Sequence, residues 1–305
     1  MSTNTQVDKQ DKLEFPPWLR RRLPANYQDF KILSNKLEQA KLHSVCQSAH
    51  CPNQGECFSK GTATFLLMGN ICTRHCAFCA IKKGRPTPLD EDEPTRLAVT
   101  CKEMGLKHVV LTCVTRDDLQ DGGASHFVKC VDALRNEIPD VTIEILTSDM
   151  KGRETSLAVL LSNPPEILNH NMETVPSLYR KVRKGAIYER SLELISRSRK
   201  IAPHVFTKSG IMVGCGETEE EIILVMEDMA KAGCQIFTIG QYLAPTNSIL
   251  PVTRYVTPEN FKKYESIGYE LGFMAVNAGA YVRSSYMAED TLAKILENKA
   301  NRRNV

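Results

Sequence analysis

Thr64-Phe-Leu-Leu-Met-Gly-Asn-Ile-Cys72-Thr-Arg-His-Cys76-Ala-Phe-Cys79 decides the fold. Its first part, Thr64–Gly69, is a short apolar run of strand length, and its second part is a polar loop carrying three cysteines as CxxxCxxC. A strand that ends in a ligand-rich loop is the first half of a βα unit. The same rhythm continues downstream. Strands are expected at 64–69, 108–113, 142–146, 167–171, 207–213 and 235–240, with helices at about 92–104, 124–137, 154–162, 190–200, 218–232 and 258–271. Strands alternating with helices of this length build a parallel sheet, and right-handed crossovers curl six such units into an open or partial barrel. The expected fold class is α/β, a partial (β/α)6 TIM-type barrel with N- and C-terminal extensions. Thr257-Pro258 and Thr218 before Glu219–Glu221 read as helix starts.

Barrels of parallel strands place their sites at the C-terminal strand edge. Polar residues follow every expected strand: Asn70–Cys79, Thr115–Gly123, Ser148–Asp149, His170–Glu173, Gly214–Glu217 and Gln241–Asn247. Upstream, residues 1–60 contain Pro16, Pro17 and Pro24 and a possible helix near 27–42, and read as an extension that wraps the body. The expected division is 1–60 for this extension, 61–275 for the barrel and 276–305 for a C-terminal extension.

The bulk numbers exclude several classes. The chain has 305 residues, 42% apolar and 25% charged, an ordinary soluble composition. A net charge of +3 is too small to argue for nucleic acid, and the short basic runs Arg20–Arg22 and Arg302–Arg303 read as solvated surface. No apolar run reaches the 18 residues of a membrane span. Met1–Lys12 lacks the apolar stretch of a signal peptide, so a reducing cytoplasm is expected. In that compartment clustered cysteines hold metal or do redox chemistry. Six of the eleven cysteines lie between Cys46 and Cys79; the other five, Cys101, Cys113, Cys130, Cys215 and Cys234, sit in apolar segments and read as small hydrophobes.

Cys72, Cys76 and Cys79 can hold three irons of a 4Fe–4S cube. No fourth cysteine follows closely, which leaves one iron open to chelate a small molecule through nitrogen and oxygen. The amino and carboxylate groups of a methionine are such a chelate, and an electron passed into the adjacent sulfonium breaks a C–S bond. Zinc is the alternative occupant, although structural zinc usually closes a tetrahedron with a second pair of ligands. Cys46, Cys51 and Cys57 form a second incomplete triad around the turn-rich Pro52-Asn-Gln-Gly55, for which zinc or one six-cysteine site are the alternatives.

The CxxxCxxC loop with Phe78 before its last cysteine resembles the radical S-adenosylmethionine superfamily, as does Gly210-Ile-Met-Val-Gly214-Cys-Gly-Glu217. Within it, Cys51-Pro-Asn-Gln-Gly-Glu-Cys57, Arg116-Asp-Asp-Leu-Gln-Asp-Gly-Gly123, Asn169-His-Asn-Met-Glu-Thr-Val-Pro176, Thr238-Ile-Gly-Gln-Tyr242 and Arg283-Ser-Ser-Tyr286 resemble the lipoyl synthase family, over about residues 13–290. The resemblance implies two 4Fe–4S clusters, S-adenosylmethionine, and insertion of two sulfurs at C6 and C8 of a protein-bound octanoyl-lysine. It implies Ser285 as the missing auxiliary-cluster ligand, with Ser284 otherwise an equal candidate, and an auxiliary cluster consumed as sulfur donor. Implied partners are octanoylated lipoyl domains of 2-oxoacid dehydrogenase complexes, the glycine-cleavage H protein, a ferredoxin- or flavodoxin-type reductant, and iron–sulfur assembly or carrier proteins.

Cofactor contacts expected from the strand ends are Phe78 near adenine, Asn171 and Glu173 at the ribose, and Glu217 at the adenine element. Thr112 and Asp117 are expected at the methionine amino group, and Arg183 and Lys208 at its carboxylate. Ala280 and Met287 depart from the family's usual proline and histidine. A two-cluster radical sulfurtransferase of another kind, and a non-catalytic iron–sulfur electron carrier, are the competing functions.

Overall fold

The computed structural model describes residues 13–20, 27–59, 64–246, 249–286 and 288–303. Met1–Lys12, Arg21, Arg22, Pro24, Asn247, Met287 and the side chains of Arg302 and Arg303 lie outside the described residues. The main sheet has eight strands: β1 (His43–Ser44), β2 (Thr64–Leu67), β3 (His108–Cys113), β4 (Thr142–Leu146), β5 (Ile167–Asn169), β6 (Phe206–Val213), β7 (Ile236–Gln241) and β8 (Ala275–Gly279). They lie side by side in chain order. Every pair from β2 to β8 is parallel, and β1 alone is antiparallel, to β2.

All six expected strands are present. So are the expected helices, α1 (Tyr27–Gln39), α2 (Glu93–Glu103), α3 (Ala124–Glu137), α4 (Glu154–Leu160), α5 (Tyr188–Ile201), α6 (Glu219–Lys231) and α7 (Pro258–Glu270). Both anticipated helix starts carry their caps. The Thr218 hydroxyl accepts from Glu221 N while the Glu221 carboxylate accepts from Thr218 N, a reciprocal capping box, and Thr257 caps the first turn behind Pro258. Sequence reading missed β1, β8 and a last helix, α8 (Ala288–Arg303). Their residues explain why. β8 is Ala-Val-Asn-Ala-Gly, of which only Val276 is buried, and it lacks the β-branched run that marked the other strands.

The helices pack on the outer face of the sheet through the alternate residues Val109 and Leu111, Ile143 and Ile145, and Leu168. The helix side of this layer is periodic as well: α3 buries Phe127, Cys130, Val131 and Leu134. Leu292 and Ile295 of α8 meet Ile167, Phe206 and Ile236, the first residues of or near the starts of β5, β6 and β7, so α8 plugs the N-terminal end of the barrel. Inside the barrel, Lys208 and Glu144 are 1% and 0% exposed and form a two-oxygen ion pair at 3.0 and 2.8 Å. Asn169 donates to the same carboxylate at 3.0 Å.

The sheet does not close, because β1 and β8 do not pair with each other. The seam between them is filled by the segments that follow each edge strand. Asn53 Nδ2 donates to Tyr281 O (2.6 Å), Thr64 Oγ1 to Ser285 Oγ (2.8 Å) and Tyr286 OH to Glu56 Oε1 (3.1 Å). Tyr281 OH donates to Leu19 O (2.5 Å), which ties the N-terminal extension to the same seam. Among the described residues, no helix is long and apolar enough to cross a membrane.

The strap at 281–286 crosses β7 where that strand has no side chain. A Cβ at Gly240 would lie 2.1 Å from Val282 O and 3.2 Å from the Arg283 guanidinium. Gly240→Ala is therefore expected to lift the strap and destabilise the fold by about 1–3 kcal/mol through overpacking. Anaerobic thermal unfolding of the variant beside the parent chain measures the shift.

Candidate active site

The first cysteine loop is closed into a ring by a short parallel pairing of Ile71–Cys72 with Lys82–Lys83, and by Gly84 N donating to Cys72 O at 3.0 Å. Neighbouring segments hold it: Thr73 N donates to Thr115 O (3.1 Å), just past β3, and Ala77 N to Val182 O (2.8 Å), the last residue of the short helix Tyr179–Val182. Arg74 anchors it from below. Its guanidinium grips Asp117 through two bonds of 2.8 and 3.0 Å and reaches Asp149 at 2.5 Å. Burial pushes the Cys79 thiol up to about 12 and raises Cys76 as well. Thiolates at these positions therefore need a cation beside them, which the irons of a cluster would supply.

The second triad grows out of β1. Ser44 caps the helical turn Val45–Ser48, accepting from Cys46 N at 3.1 Å, and Cys51 N donates to Cys46 O at 2.9 Å. Cys57 lies on the short helix Gln54–Ser59, with its amide on Asn53 O at 2.9 Å. A hydrogen bond from Cys51 lowers the Cys46 thiol to about 6 and raises that of Cys51. Cys46, Cys51, Cys57 and Ser285 share the wall of one cavity of about 240 Å³. Ser284 faces elsewhere: its hydroxyl accepts from Asn171 Nδ2 at 2.6 Å. Among the described residues no three His, Cys, Asp or Glu side chains converge tightly enough for a single metal ion. Cys46, Cys51 and Cys57 line the wall of a cavity instead, as ligands to separate corners of a cube would.

A second cavity, of about 220 Å³, occupies the barrel mouth between the triads. Phe78, Cys79, Asn171 and Glu173 line it from one side, and Cys46, Cys51 and Ser285 from the other. Glu173 sits in the left-handed region at φ 66°, held by its amide on Gly210 O (3.0 Å) and by Met212 N on its carbonyl (2.9 Å). Burial raises its carboxyl, opposed by the nearby charge of Arg183 and a 3.1 Å bond from Asn171 Nδ2. Asn171 Oδ1 is buried with no partner among the described residues, an open acceptor.

Four expected cofactor contacts are occupied by the fold. The Thr112 hydroxyl donates to Leu146 O (2.9 Å), Asp117 is taken by Arg74, and Lys208 by Glu144 deep in the barrel. None of these three lines the mouth cavity. The Glu217 carboxylate accepts from Gly214 N (2.6 Å) and Cys215 N (2.9 Å), so it shapes the loop after β6. Gly214 is required there: at φ 100°, a Cβ would meet the Gln241 amide at 2.3 Å and Arg254 O at 2.5 Å. Arg183 is buried among Tyr179, Ser191 and His170, and its charge acts on both Cys76 and Glu173. Sequence reading missed Arg74, Thr64, Asn53 and Arg283. Arg74 lies inside the CxxxCxxC loop and Arg283 directly before the serine pair, so the motifs contained them without revealing their partners. Of the five scattered cysteines, Cys101, Cys130, Cys215 and Cys234 are buried and Cys113 is half-buried.

The Radical SAM superfamily model matches residues 66–229. A curated relative named lipoyl synthase from Neisseria meningitidis serogroup C is 52% identical over 291 residues, covering 95% of this chain and 90% of the relative. Another, from Caldanaerobacter subterraneus subsp. tengcongensis, is 52% identical over 274 residues, covering 90% of this chain and 95% of the relative. Among solved structures, methylornithine synthase matches with TM-score 0.53 at 16% identity, over 86% of this chain and 81% of that one. Streptococcus suis SuiB bound to S-adenosylmethionine matches with TM-score 0.56 at 13% identity, over 84% of this chain and 61% of that one. At such identities the solved structures establish the fold alone.

Burial alone would raise the Asp149 carboxyl, but the hydrogen bonds and charge of Arg74 hold it down at about 2, below its ordinary 3.8. A depressed carboxyl stabilises the fold above its unfolded value and loses that contribution as pH falls through its folded one. Asp149→Asn is expected to cost about 3 kcal/mol at neutral pH, because Arg74 is left buried and short of a partner. It also flattens the acid side of the stability profile between about pH 4 and 2. Urea unfolding of metal-free protein at pH 7 and pH 3 measures both effects.

Proposed function

Because the chain belongs to the lipoyl synthase family of the radical S-adenosylmethionine superfamily, we propose that Cys72, Cys76 and Cys79 hold the cluster that binds S-adenosylmethionine, and that Cys46, Cys51, Cys57 and Ser285 hold the auxiliary cluster. The activity is that of a lipoyl synthase, a radical sulfurtransferase using two 4Fe–4S clusters and S-adenosylmethionine. The observation that carries the ligand assignment is that Cys79 of the first triad and Cys46, Cys51 and Ser285 of the second group line one mouth cavity of about 220 Å³. An octanoyl chain laid in it lies between the two.

Protons at C6 and C8 of an octanoyl chain are beyond any side-chain base at neutral pH. When bound, the first cluster with S-adenosylmethionine supplies a primary carbon radical that takes a hydrogen atom, and the second supplies sulfur. The chain's own residues position these groups. Phe78 offers a flat apolar face for adenine. Asn171 and Glu173 offer acceptors for the ribose hydroxyls, and the open Asn171 Oδ1 suits such a donor. Arg183 places its charge for an anionic group near Cys76, while Glu217 and Gly214 shape the wall. Thr112, Asp117 and Lys208 serve the frame that holds these groups. Ser285 is an oxygen ligand among thiolates, more readily exchanged than they are. Thr64 holds its hydroxyl in place.

The substrate is an octanoylated lipoyl-domain protein. The finer reading names lipoyl domains of 2-oxoacid dehydrogenase complexes and the glycine-cleavage H protein, with a ferredoxin- or flavodoxin-type reductant and an iron–sulfur carrier. Eleven free cysteines suit a reducing cytoplasm. The proposed division of labour is residues 1–60 and 276–305 for the auxiliary site and 61–275 for the barrel.

The test is turnover of an octanoyl-lysine peptide by reconstituted, reduced enzyme, followed by mass spectrometry. The parent chain adds two sulfurs, as the dithiol in reductant or, after oxidation, as the dithiolane two hydrogens lighter. Ser285→Ala is expected to keep 5′-deoxyadenosine release while sulfur insertion falls by on the order of 100-fold, and Ser284→Ala to retain insertion. Cys76→Ala is expected to abolish both products. Equal loss in the two serine variants contradicts the assignment of Ser285.

A further inference from the structure

The auxiliary triad faces two cavities. Cys46, Cys51, Thr64, Arg283 and Ser285 belong to the walls of both. The mouth cavity opens at the C-terminal strand edge, beside Phe78 and Cys79. The other leads the opposite way. Its remaining wall includes His108 and Val110, in the first half of β3, and Glu289 and Asp290, in the first turn of α8. β3 begins at His108 and α8 plugs the N-terminal end of the barrel, so this cavity leaves the barrel away from the first cysteine loop. Glu289 and Asp290 are exposed, so this wall carries two carboxylates that reach solvent.

The chemistry of its wall is specific. The Thr142 hydroxyl donates to Lys107 O at 3.2 Å, and so accepts at 2.8 Å from His108 Nδ1–H. In that arrangement Nε2 carries the lone pair, and it is buried without a hydrogen-bond partner among the described residues. An imidazole lone pair and two carboxylates favour a divalent transition metal and repel anions. They lie along one passage with three thiols and a serine at its inner end.

We propose that this passage is an iron port, through which ferrous iron leaves the auxiliary site when sulfur is withdrawn and returns when the cluster is rebuilt. The inference rests on Cys46, Cys51, Cys57 and Ser285 being the auxiliary ligands. His108 receives the ion as it parts from Ser285, and Glu289 and Asp290 draw it to and from solvent. In the port itself the only bonds made and broken are those between ferrous iron and its ligands; the two electrons that leave all four irons ferrous come with the two carbon–sulfur bonds, and on rebuilding one sulfane sulfur per cluster takes two electrons back as it becomes sulfide. Because the port opens at the other end of the barrel, iron exchanges while a carrier protein still covers the mouth.

The test uses enzyme reconstituted with both clusters in iron-57 and allowed a single turnover on an octanoyl-lysine peptide. A ferrous chelator follows iron release. Ferrous iron, sulfide and a persulfide as sulfane-sulfur donor are then supplied, and Mössbauer spectra and visible absorption follow rebuilding. The Glu289→Lys/Asp290→Lys double variant changes only exposed positions, and His108→Phe removes the lone pair at nearly constant size. Both are expected to complete the first turnover normally while release and reloading slow by on the order of tenfold. For the double variant the difference from the parent shrinks at high salt. Release and reloading at parental rates in both variants overturn the port. So does a parallel loss of 5′-deoxyadenosine formation, which marks a general defect. Only one cluster per parent chain overturns the ligand assignment, and the port with it.

Discussion

A parallel sheet that curls without closing leaves two edges with unpaired backbone groups, and an exposed edge is a liability. Everything distinctive in this molecule follows from how that gap is filled. The chain leaving β1 carries Cys46, Cys51 and Cys57 into it, and the chain leaving β8 brings Ser285. Three side-chain bonds stitch the two segments together: Asn53 to Tyr281, Thr64 to Ser285 and Tyr286 to Glu56. A closed barrel would have had no room here for a second site. The open one brings Cys79 of the first loop and Cys46 and Cys51 of the second onto the wall of a single cavity, an arrangement that suits a reaction whose radical and sulfur come from different centres.

The second organising theme is buried charge, and each buried cation near the site has its answer. Arg74 is matched by Asp117 and Asp149, and Lys208 by Glu144. Buried pairs of this kind add little net stability, but removing one partner is expensive, so they fix geometry more than they add strength. Arg74 is the clearest case. It sits inside the first cysteine loop and fastens that loop to the ends of two different strand connections, so the position of Cys72 and Cys76 is tied to the barrel frame. Arg183 has a different surrounding: hydroxyls and a histidine satisfy its donors while its charge is felt by Cys76 and Glu173.

The barrel was legible because its strands are short apolar runs between amphipathic helices, and because both cysteine motifs stand in their expected places relative to those strands. β8 was not, since Ala275, Asn277 and Gly279 carry no strand signature and the strand is recruited by pairing with β7. The cysteines could be grouped by spacing, but spacing left Ser284 and Ser285 equivalent. Neighbouring residues point to different sides, and only the fold shows one bonded to Thr64 and the other to Asn171. The same limit explains Thr112, Asp117 and Lys208. Polar residues near strand ends are candidates for a ligand until their partners are known, and those partners, Leu146, Arg74 and Glu144, are 34, 43 and 64 residues away in the chain.

The bond between Thr64 and Ser285 joins positions 221 residues apart. Such a long loop closes late, since the entropy of bringing its ends together must be met before the contact rewards it. During synthesis the chain emerges from its N-terminus, so the first cysteine loop and the strands that frame it are complete while the serine is still inside the ribosome. The two metal centres therefore ripen in a fixed order. A nascent chain, or one stopped between the last strand and residue 285, offers the three thiols of the second triad without Ser285, so on the proposed assignment the first centre is framed while the auxiliary set stays incomplete.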